Sequence, residues 1–305
     1  MTPPPISAAR LLGAFEPGSP EWEEARSGAV VTATDVAAIV GLSPWMSPFS
    51  LWHHKAGTVR ADSAPNAAMS WGSRLEPVIA DAFAEAHPDL VVHATGTWEN
   101  GARPWQRATP DRILAPAAGG LPSVLEIKTS RYGEGFGEPG TGAVPVYYRC
   151  QVLWQLDTLG LETAHVAVLI AGQDYREYVV RYDEDEAAFL REQAAAFLAG
   201  VASGTPPPLD GHAATYRTAQ RLPGGVEEVV ADISPAIAEA YRAALLDHRR
   251  AEEAKRAASA AVLAAMGPAK KCQAGGLLVA TRTVREDGTT RSLIPHPSYV
   301  KAAAA

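Results

Sequence analysis

Cysteine is nearly absent from the sequence. Only Cys150 and Cys272 occur among 305 residues, and no CxxC pair is present. The chain therefore has too few thiols to build a cysteine-ligated zinc module or an iron–sulfur cluster from its own residues. Such sparing use of cysteine suggests a reducing compartment.

Long apolar segments are also missing. No apolar run approaches the roughly 18 residues that a membrane-spanning helix needs. The N-terminal residues MTPPPISAAR lack the basic and then apolar pattern of a secretory signal. We therefore expect a cytoplasmic protein without a membrane partner.

Positive charge is in the minority, with 27 Lys and Arg residues against 34 Asp and Glu residues, for a net charge of −7. This balance disfavours a protein that coats nucleic acid through bulk attraction, because that mode depends on many cations facing phosphates. An enzyme with one local basic groove remains compatible with it.

Composition divides the chain into four parts. Residues 1–20 are rich in Pro, Gly and Ser and are expected to form an irregular arm. The segment SGTPPPLDGHAAT, 203–215, is the best candidate for a linker. We expect a catalytic domain over 21–202 and a C-terminal region over 216–305, with a long Ala-rich helix followed by a hairpin.

Within 21–202, the hydrophobic periodicity alternates between helices and strands. A strong helix is expected from about Ser70 to Ala86, although Pro77 is tolerable only near a first turn, so that the helix proper would begin close to Glu76. The other main elements are expected as strands over 90–94, 106–108, 112–115, 124–128, 164–170 and 175–182 and as helices over 146–159 and 185–200.

The central motif is TPD at 109–111, followed by EIK at 126–128. Residues two apart in a strand point to the same face, so Glu126 and Lys128 project side by side. The intervening hairpin can bring Asp111 back beside Glu126. Two carboxylates with backbone and water oxygens suit a hard divalent ion such as Mg²⁺ or Mn²⁺.

A metal ion held there would lower the pKa of a bound water and stabilise charge on a phosphate, while Lys128 oriented that water or stabilised the transition state. The alternative is an ordinary surface pair of Glu126 and Lys128, because a bare D…ExK pattern is short. The surroundings favour the metal site, since an acidic helix precedes the motif and a polar helix follows it.

The flanking residues have alternatives of their own. Glu76 on the preceding helix is either a further acidic group of the site or a helix N-terminal Glu favoured by the dipole. Gln151 and Gln155 lie one helical turn apart and either face the site or form a solvated face.

Four segments carry a resemblance to a known family. In order, TATDVAAIVGLSPW, MSWGSRLEPVIADAF, ATPD with LEIKT, and VYYRCQVLWQLDTLG occur within roughly residues 20–200. This series resembles the phage lambda exonuclease and YqaJ-type recombination nucleases, a branch of the PD-(D/E)xK nucleases. An ordered series over this length is far more specific than any one motif.

The resemblance implies an α/β fold with the PD-(D/E)xK nuclease core, a mixed central sheet flanked by helices, and here a C-terminal helix-plus-hairpin appendage. It implies Mg²⁺-dependent cleavage of DNA, with Mn²⁺ as a possible substitute, typically as 5′→3′ digestion of one strand from linear double-stranded ends. The partners it implies are a single-strand annealing protein and other copies of the chain in a trimeric ring.

The family's roles transfer residue by residue. Asp111, Glu126 and the backbone of Ile127 would hold metal, with Lys128 as the catalytic lysine. Glu76 would lie near a second metal, and Gln151 would complete the site.

The resemblance also implies a 5′-phosphate site at Arg26, Thr34 and Thr109, since a guanidinium and two hydroxyls can bind a terminal phosphate. Their alternatives are a surface Arg, a helix N-cap and a turn hydroxyl.

One residue departs from the family pattern, because Arg112 stands where the family usually has Gly. Its side chain either lies near the scissile phosphate or points away from it. Nearby arginines would supply the local basic surface that a DNA groove needs, and aromatic residues are expected in the core, with contact to unpaired bases as the alternative. The arginines are Arg103, Arg107, Arg131 and Arg149, and the aromatics are Tyr147, Tyr148 and Trp154.

Two other functions stay open. The same core could serve an endonuclease of a restriction or defence system. A non-catalytic factor that binds DNA ends is the alternative from a different class, and intact Asp111, Glu126 and Lys128 argue against it.

Overall fold

A computed structural model describes residues 4–59 and 67–302. The chain forms two compact units, Met1–Gly225 and Val226–Ala305. The elements of the first unit are β1 (Ala9–Gly13), α1 (Pro20–Arg26), β2 (Val31–Thr32), α2 (Val36–Ile39), α3 (Pro48–Lys55), α4 (Ala67–Ala86), β3 (Leu90–Ala94), β4 (Thr97–Asn100), β5 (Gln106–Ala108), β6 (Arg112–Pro116), β7 (Ser123–Ser130), α5 (Val146–Leu159), β8 (Thr163–Ile170), β9 (Asp174–Arg181), α6 (Glu184–Ser203) and α7 (Ala213–Ala219).

The main sheet has five strands in the order β3-β6-β7-β8-β9. All neighbours run antiparallel except β7 and β8, which are parallel and are connected through α5. A parallel pair needs such a crossover because the chain must return to the end of the sheet where the first strand began before the second strand starts. The predicted mixed sheet flanked by helices is confirmed.

Helices pack on this sheet through apolar residues. Residues of α5 such as Leu153 and Trp154 share a core with Val124 and Val166 of the sheet. A separate cluster joins α4 to the sheet through Ile79, Phe83, Leu114, Leu125 and Ile127. The two clusters fix the positions of β6 and β7 between their neighbours.

The expected start of α4 near Glu76 is wrong, because the helix already begins at Ala67 and continues through Pro77. A proline inside a helix leaves the carbonyl four residues earlier, here that of Ser73, without its usual donor. Both Ser73 and Pro77 are exposed. Water can therefore satisfy that carbonyl at little cost.

The N-terminal residues are more ordered than expected from 1–20. Strand β1 pairs with β4 in a second, four-stranded sheet of order β1-β4-β5-β2. All four residues of β4 are buried, although their sequence TWEN shows no alternation of apolar and polar residues. Strands β1, β2 and β4 were not predicted, because each depends on pairing with distant residues.

The segment 203–215, expected to be a linker, lies inside the first unit. Thr215 at the start of α7 is buried, and its hydroxyl donates to Ser47 at 2.6 Å. The division between the units falls after Gly225.

The second unit contains the predicted long helix and hairpin, together with a third strand and a short terminal helix. Its elements are α8 (Pro235–Met266), β10 (Lys271–Ala274), β11 (Leu277–Val284), β12 (Thr290–Pro295) and α9 (Pro297–Ala302), with the strands in the order β10-β11-β12. Across 4–59 and 67–302, no helix combines the length and the apolar character that crossing a membrane requires.

Candidate functional site

The β6–β7 hairpin sets Asp111 beside the motif strand. Asp111 lies immediately before β6, where Arg112 pairs with Leu125 of β7. One oxygen of Asp111, Oδ2, accepts a hydrogen bond from the backbone amide of Ile127 at 2.6 Å. The aspartate is thereby fixed next to Glu126, as the sequence spacing predicts.

Glu126 is the most enclosed member of the site, with only 2% of its surface exposed. Its Oε1 accepts from the Lys128 ammonium and from the Gln151 amide, and its Oε2 accepts from Gln155 at 2.7 Å. The pairing of Glu126 with Lys128 is thus part of a half-buried network rather than a surface pair.

Gln155 belongs to the same network, which is the first of the two alternatives stated for the pair of glutamines. It is fully buried, which excludes the solvated-face alternative for this residue. The only sequence signal for its position is that it lies one helical turn after Gln151. Both glutamines orient the Glu126 carboxylate from α5.

The site carries unusual electrostatics. Desolvation and the neighbouring charge of Glu126 hold the pKa of Asp111 well above its usual range, against the opposing effect of Lys128. For Lys128, desolvation would lower the pKa, but Glu126 and Asp111 outweigh it, and the pKa is raised. Lys128 is therefore an ammonium at neutral pH, facing two carboxylates that repel each other.

A hard divalent cation fits this donor set. Asp111 and Glu126 offer carboxylate oxygens, and a cation between them would offset the repulsion that raises the pKa of Asp111. Among residues 4–59 and 67–302, no group of three or more His, Cys, Asp or Glu side chains is gathered to hold a metal. Backbone and water oxygens would have to complete the coordination.

Glu76 is held by a different partner. Its Oε1 lies 2.6 Å from Nη1 of Arg112, which also donates to the backbone carbonyl of Asp111 at 2.5 Å. Glu76 lies in the middle of α4, so the alternative of a helix N-terminal Glu is wrong. The Arg112 side chain thus points into the site rather than away from it.

Aromatic rings border Lys128. Its ammonium lies 4.8 Å from the centre of the Tyr148 ring, and Trp45 contacts Tyr147 edge-on at 4.9 Å. Trp45 is 59% exposed, so this border faces solvent. Trp154 is instead a core residue, as expected, and its indole donates to the backbone carbonyl of Arg107 at 3.1 Å.

The predicted phosphate-binding residues are brought together in part. Arg26 donates to the hydroxyl of Thr34 at 2.6 Å, and its Nη2 lies 3.5 Å from the hydroxyl of Thr32. The hydroxyl of Thr109 lies 2.9 Å from that of Thr97. Thr32 was not among the predicted residues, and its position two residues before Thr34 in TAT was the available signal.

The expected basic surface is largely neutralised by partners within the protein. Arg103 pairs with Asp157, Arg107 lies 3.6 Å from Glu99, and Arg149 pairs with Glu186. Arg131 stacks over Tyr132 at 4.9 Å. Three of these four arginines therefore lie beside a carboxylate of the protein, which the linear sequence did not reveal.

A mixed sheet whose hairpin places an aspartate beside an ExK strand is the core arrangement implied by the resemblance to PD-(D/E)xK nucleases. Residues 21–162 match the family model of the YqaJ-like viral recombinase domain. The resemblance predicted from the four segments is thereby confirmed for this part of the chain.

Individual relatives match over a similar region. The chain is 30% identical over 199 residues to an uncharacterized protein, YqaJ, of Bacillus subtilis (strain 168), covering 64% of this chain and 60% of that protein. An alkaline exonuclease from Laribacter hongkongensis aligns at 19% identity over 66% of this chain and 97% of its own, with a TM-score of 0.48. A phage-related exonuclease from Haemophilus somnus 129PT aligns at 10% identity over 57% and 94%, with a TM-score of 0.43.

Proposed function

We propose that the chain is a divalent-metal-dependent DNA nuclease with Asp111, Glu126 and Lys128 at the centre of its active site. The observation that carries the proposal is the pair of repelling carboxylates beside a charged lysine. Such an arrangement costs stability in the free protein, and a carboxylate with a perturbed pKa beside a specific charged neighbour is typical of functional sites.

Asp111, Glu126 and the backbone carbonyl of Ile127 would hold the ion, which is Mg²⁺ in the first instance, with Mn²⁺ as a substitute. When bound, a divalent ion lowers the pKa of water and offsets charge on the scissile phosphate. Gln151 and Gln155 keep the carboxylate of Glu126 in one orientation. The Lys128 ammonium would orient the attacking water and stabilise charge on the phosphate oxygens.

We further propose that the enzyme is an exonuclease that digests one strand of linear double-stranded DNA in the 5′→3′ direction. The group of Arg26, Thr34 and Thr32 supports this, because one guanidinium beside two hydroxyls suits a terminal phosphate. Thr109 would join that group when DNA is bound. The exposed strand would pass to a single-strand annealing protein, and a trimeric ring would keep the enzyme on its substrate.

A digest of linear duplex DNA tests the proposal. Wild type should degrade it with Mg²⁺ or Mn²⁺ but not with EDTA, and faster from a 5′-phosphate than from a 5′-hydroxyl. Lys128→Ala should lose about 10²–10³-fold in rate, the usual effect of removing one transition-state contact. Lys255→Ala, at an exposed position on α8, is the matched control and should keep the wild-type rate.

Two results would contradict parts of the proposal. Equal rates for wild type and Lys128→Ala would refute the site assignment. Cleavage of closed or nicked circles as readily as of linear DNA would refute the exonuclease assignment and favour an endonuclease on the same core.

A further inference from the structure

Arg112 is built into the central sheet in a way that fixes the direction of its side chain. It is the first residue of β6 and pairs with Ala94 of β3 on one side and Leu125 of β7 on the other. Residues two apart share a face, so Arg112 lies on the same face as Leu114. Leu114 packs against α4 through Ile79 and Phe83. Arg112 therefore faces α4.

Glu76 is the residue that Arg112 meets on α4. It lies three positions before Ile79 and thus one helical turn towards the N-terminus on the same side of α4. The guanidinium approaches Glu76 Oε1 at 2.6 Å, with 19% and 33% of the two side chains exposed. A second bond to the backbone carbonyl of Asp111 holds the guanidinium at the edge of the site.

This ion pair changes the charge that a metal would meet. Three carboxylates, Asp111, Glu126 and Glu76, stand beside two cations, Lys128 and Arg112. With all three carboxylates ionised, as a bound cation requires, one negative charge is left uncompensated, whereas an uncharged residue at 112 would leave two. Consistently, within the described parts of the chain, Glu76 is not gathered with Asp111 and Glu126 into a three-carboxylate metal site.

We propose that Arg112 occupies the place of a second divalent ion, so that each active site binds a single ion through Asp111 and Glu126. Glu76 acts as the anchor that positions Arg112, not as a metal ligand. A second ion would have to displace a guanidinium that makes two hydrogen bonds in half-buried surroundings, which is unfavourable. This inference rests on the proposed nuclease function, because it concerns the ion content of the same site.

The test is a Mn²⁺ titration of the full chain by isothermal calorimetry, without DNA. Asp111→Asn with Glu126→Gln gives the baseline for weak binding elsewhere on this acidic protein. Above that baseline, wild type should bind one ion per chain, and Arg112→Gln should bind two. Arg112→Lys keeps the charge and should stay at one.

Glu76→Gln in the wild-type background keeps the proposal testable if Arg112→Gln does not fold, because the ion count should remain one. Two ions in wild type, with one lost in Glu76→Gln, would overturn the inference but leave the proposed nuclease intact. A single ion in folded Arg112→Gln would also overturn it. If wild type shows no ion above the baseline, the metal site of the proposed function itself fails.

Discussion

The two ends of α5 differ in how the charges beside them are balanced. At its C-terminal end, Asp157 is buried and fully surrounded by donors. Arg191 and the hydroxyl of Tyr182 donate to Oδ1, at 2.5 and 2.9 Å, while Gln106 and Arg103 donate to Oδ2, at 2.7 and 3.2 Å. Two guanidiniums thus stabilise one carboxylate, which satisfies a buried charge.

At its N-terminal end, α5 faces an excess of negative charge. Gln151 donates to Glu126, which lies beside Asp111, and the pKa of Asp111 is raised by desolvation and by Glu126. Tyr147, Tyr148 and Gln151 are only half-buried here, whereas the residues from Val152 to Leu159 are all buried. The charges at the C-terminal end of α5 therefore stabilise the fold, whereas those at its N-terminal end leave negative charge that a bound cation can offset.

The largest effect is expected from Asp157→Ala. Removing this carboxylate takes the shared partner from two partly exposed guanidiniums, of which Arg191 keeps Glu184, so the cost should be about 3 kcal/mol, the lower end of the range for a broken buried ion pair. The free energy of unfolding, measured by urea titration, should fall by that amount, while the nuclease rate of the remaining folded protein stays unchanged. A loss below about 1 kcal/mol would mean that the network around Asp157 does not stabilise the fold.

The parts of the structure that the sequence predicted are those that depend on local patterns. The strands around 90–94, 112–115 and 124–128 and the helix over 146–159 were predicted because each is a short segment of strand-forming or helix-forming residues that adjoins turns or loops rich in Pro and Gly. The position of Asp111 beside Glu126 followed from a short hairpin. These features depend on neighbours close in sequence.

Features that depend on distant residues were not predicted. The Asp157 network joins side chains more than 50 positions apart, and Asp157 itself gave no signal. The pairing of Arg112 with Glu76 crosses from the sheet to α4, so the sequence left the direction of the Arg112 side chain undecided. Strand β1 was not predicted, because the Pro-, Gly- and Ser-rich composition of residues 1–20 is typical of an irregular arm.

Effects of intermediate size are expected from replacing the two glutamines of α5, which should differ in how much stability each variant loses. Gln151→Ala removes a half-buried hydrogen bond to Glu126 and should lower kcat about 10-fold, since hydrogen bonds to charged groups contribute roughly 1.5–3 kcal/mol. Its loss of stability should be smaller than that of a fully buried hydrogen bond, because water can reach a half-buried position and replace the lost donor.

Gln155→Ala is the matched comparison, because this residue bonds to the same carboxylate from a fully buried position. It should lower the free energy of unfolding by about 1–3 kcal/mol as well as the rate. Kinetic assays and urea titrations on both variants separate the outcomes. Equal losses of stability in the two variants would contradict this difference, and would show that the stabilising part of α5 does not begin between Gln151 and Gln155.

The smallest effect, and the one of opposite sign, is expected from Asp111→Asn in EDTA. Asparagine keeps an acceptor for the Ile127 amide but removes the repulsion with Glu126. The melting temperature of the first unit should therefore rise at pH 8 by about 2–4 °C, the shift that roughly 1 kcal/mol produces in a domain of this size.

The direction of this shift in melting temperature follows from the raised pKa of Asp111. Because the pKa of Asp111 is raised in the folded state, the wild-type protein is favoured below the ordinary Asp pKa and loses stability as pH rises through the raised value. The advantage of Asp111→Asn should accordingly shrink as pH falls. Saturating Mg²⁺ should also reduce it, since an ion that binds only the folded wild type stabilises that protein. A lower melting temperature for Asp111→Asn in EDTA at pH 8 would show that the charge at this end of α5 is already compensated, as it is around Asp157.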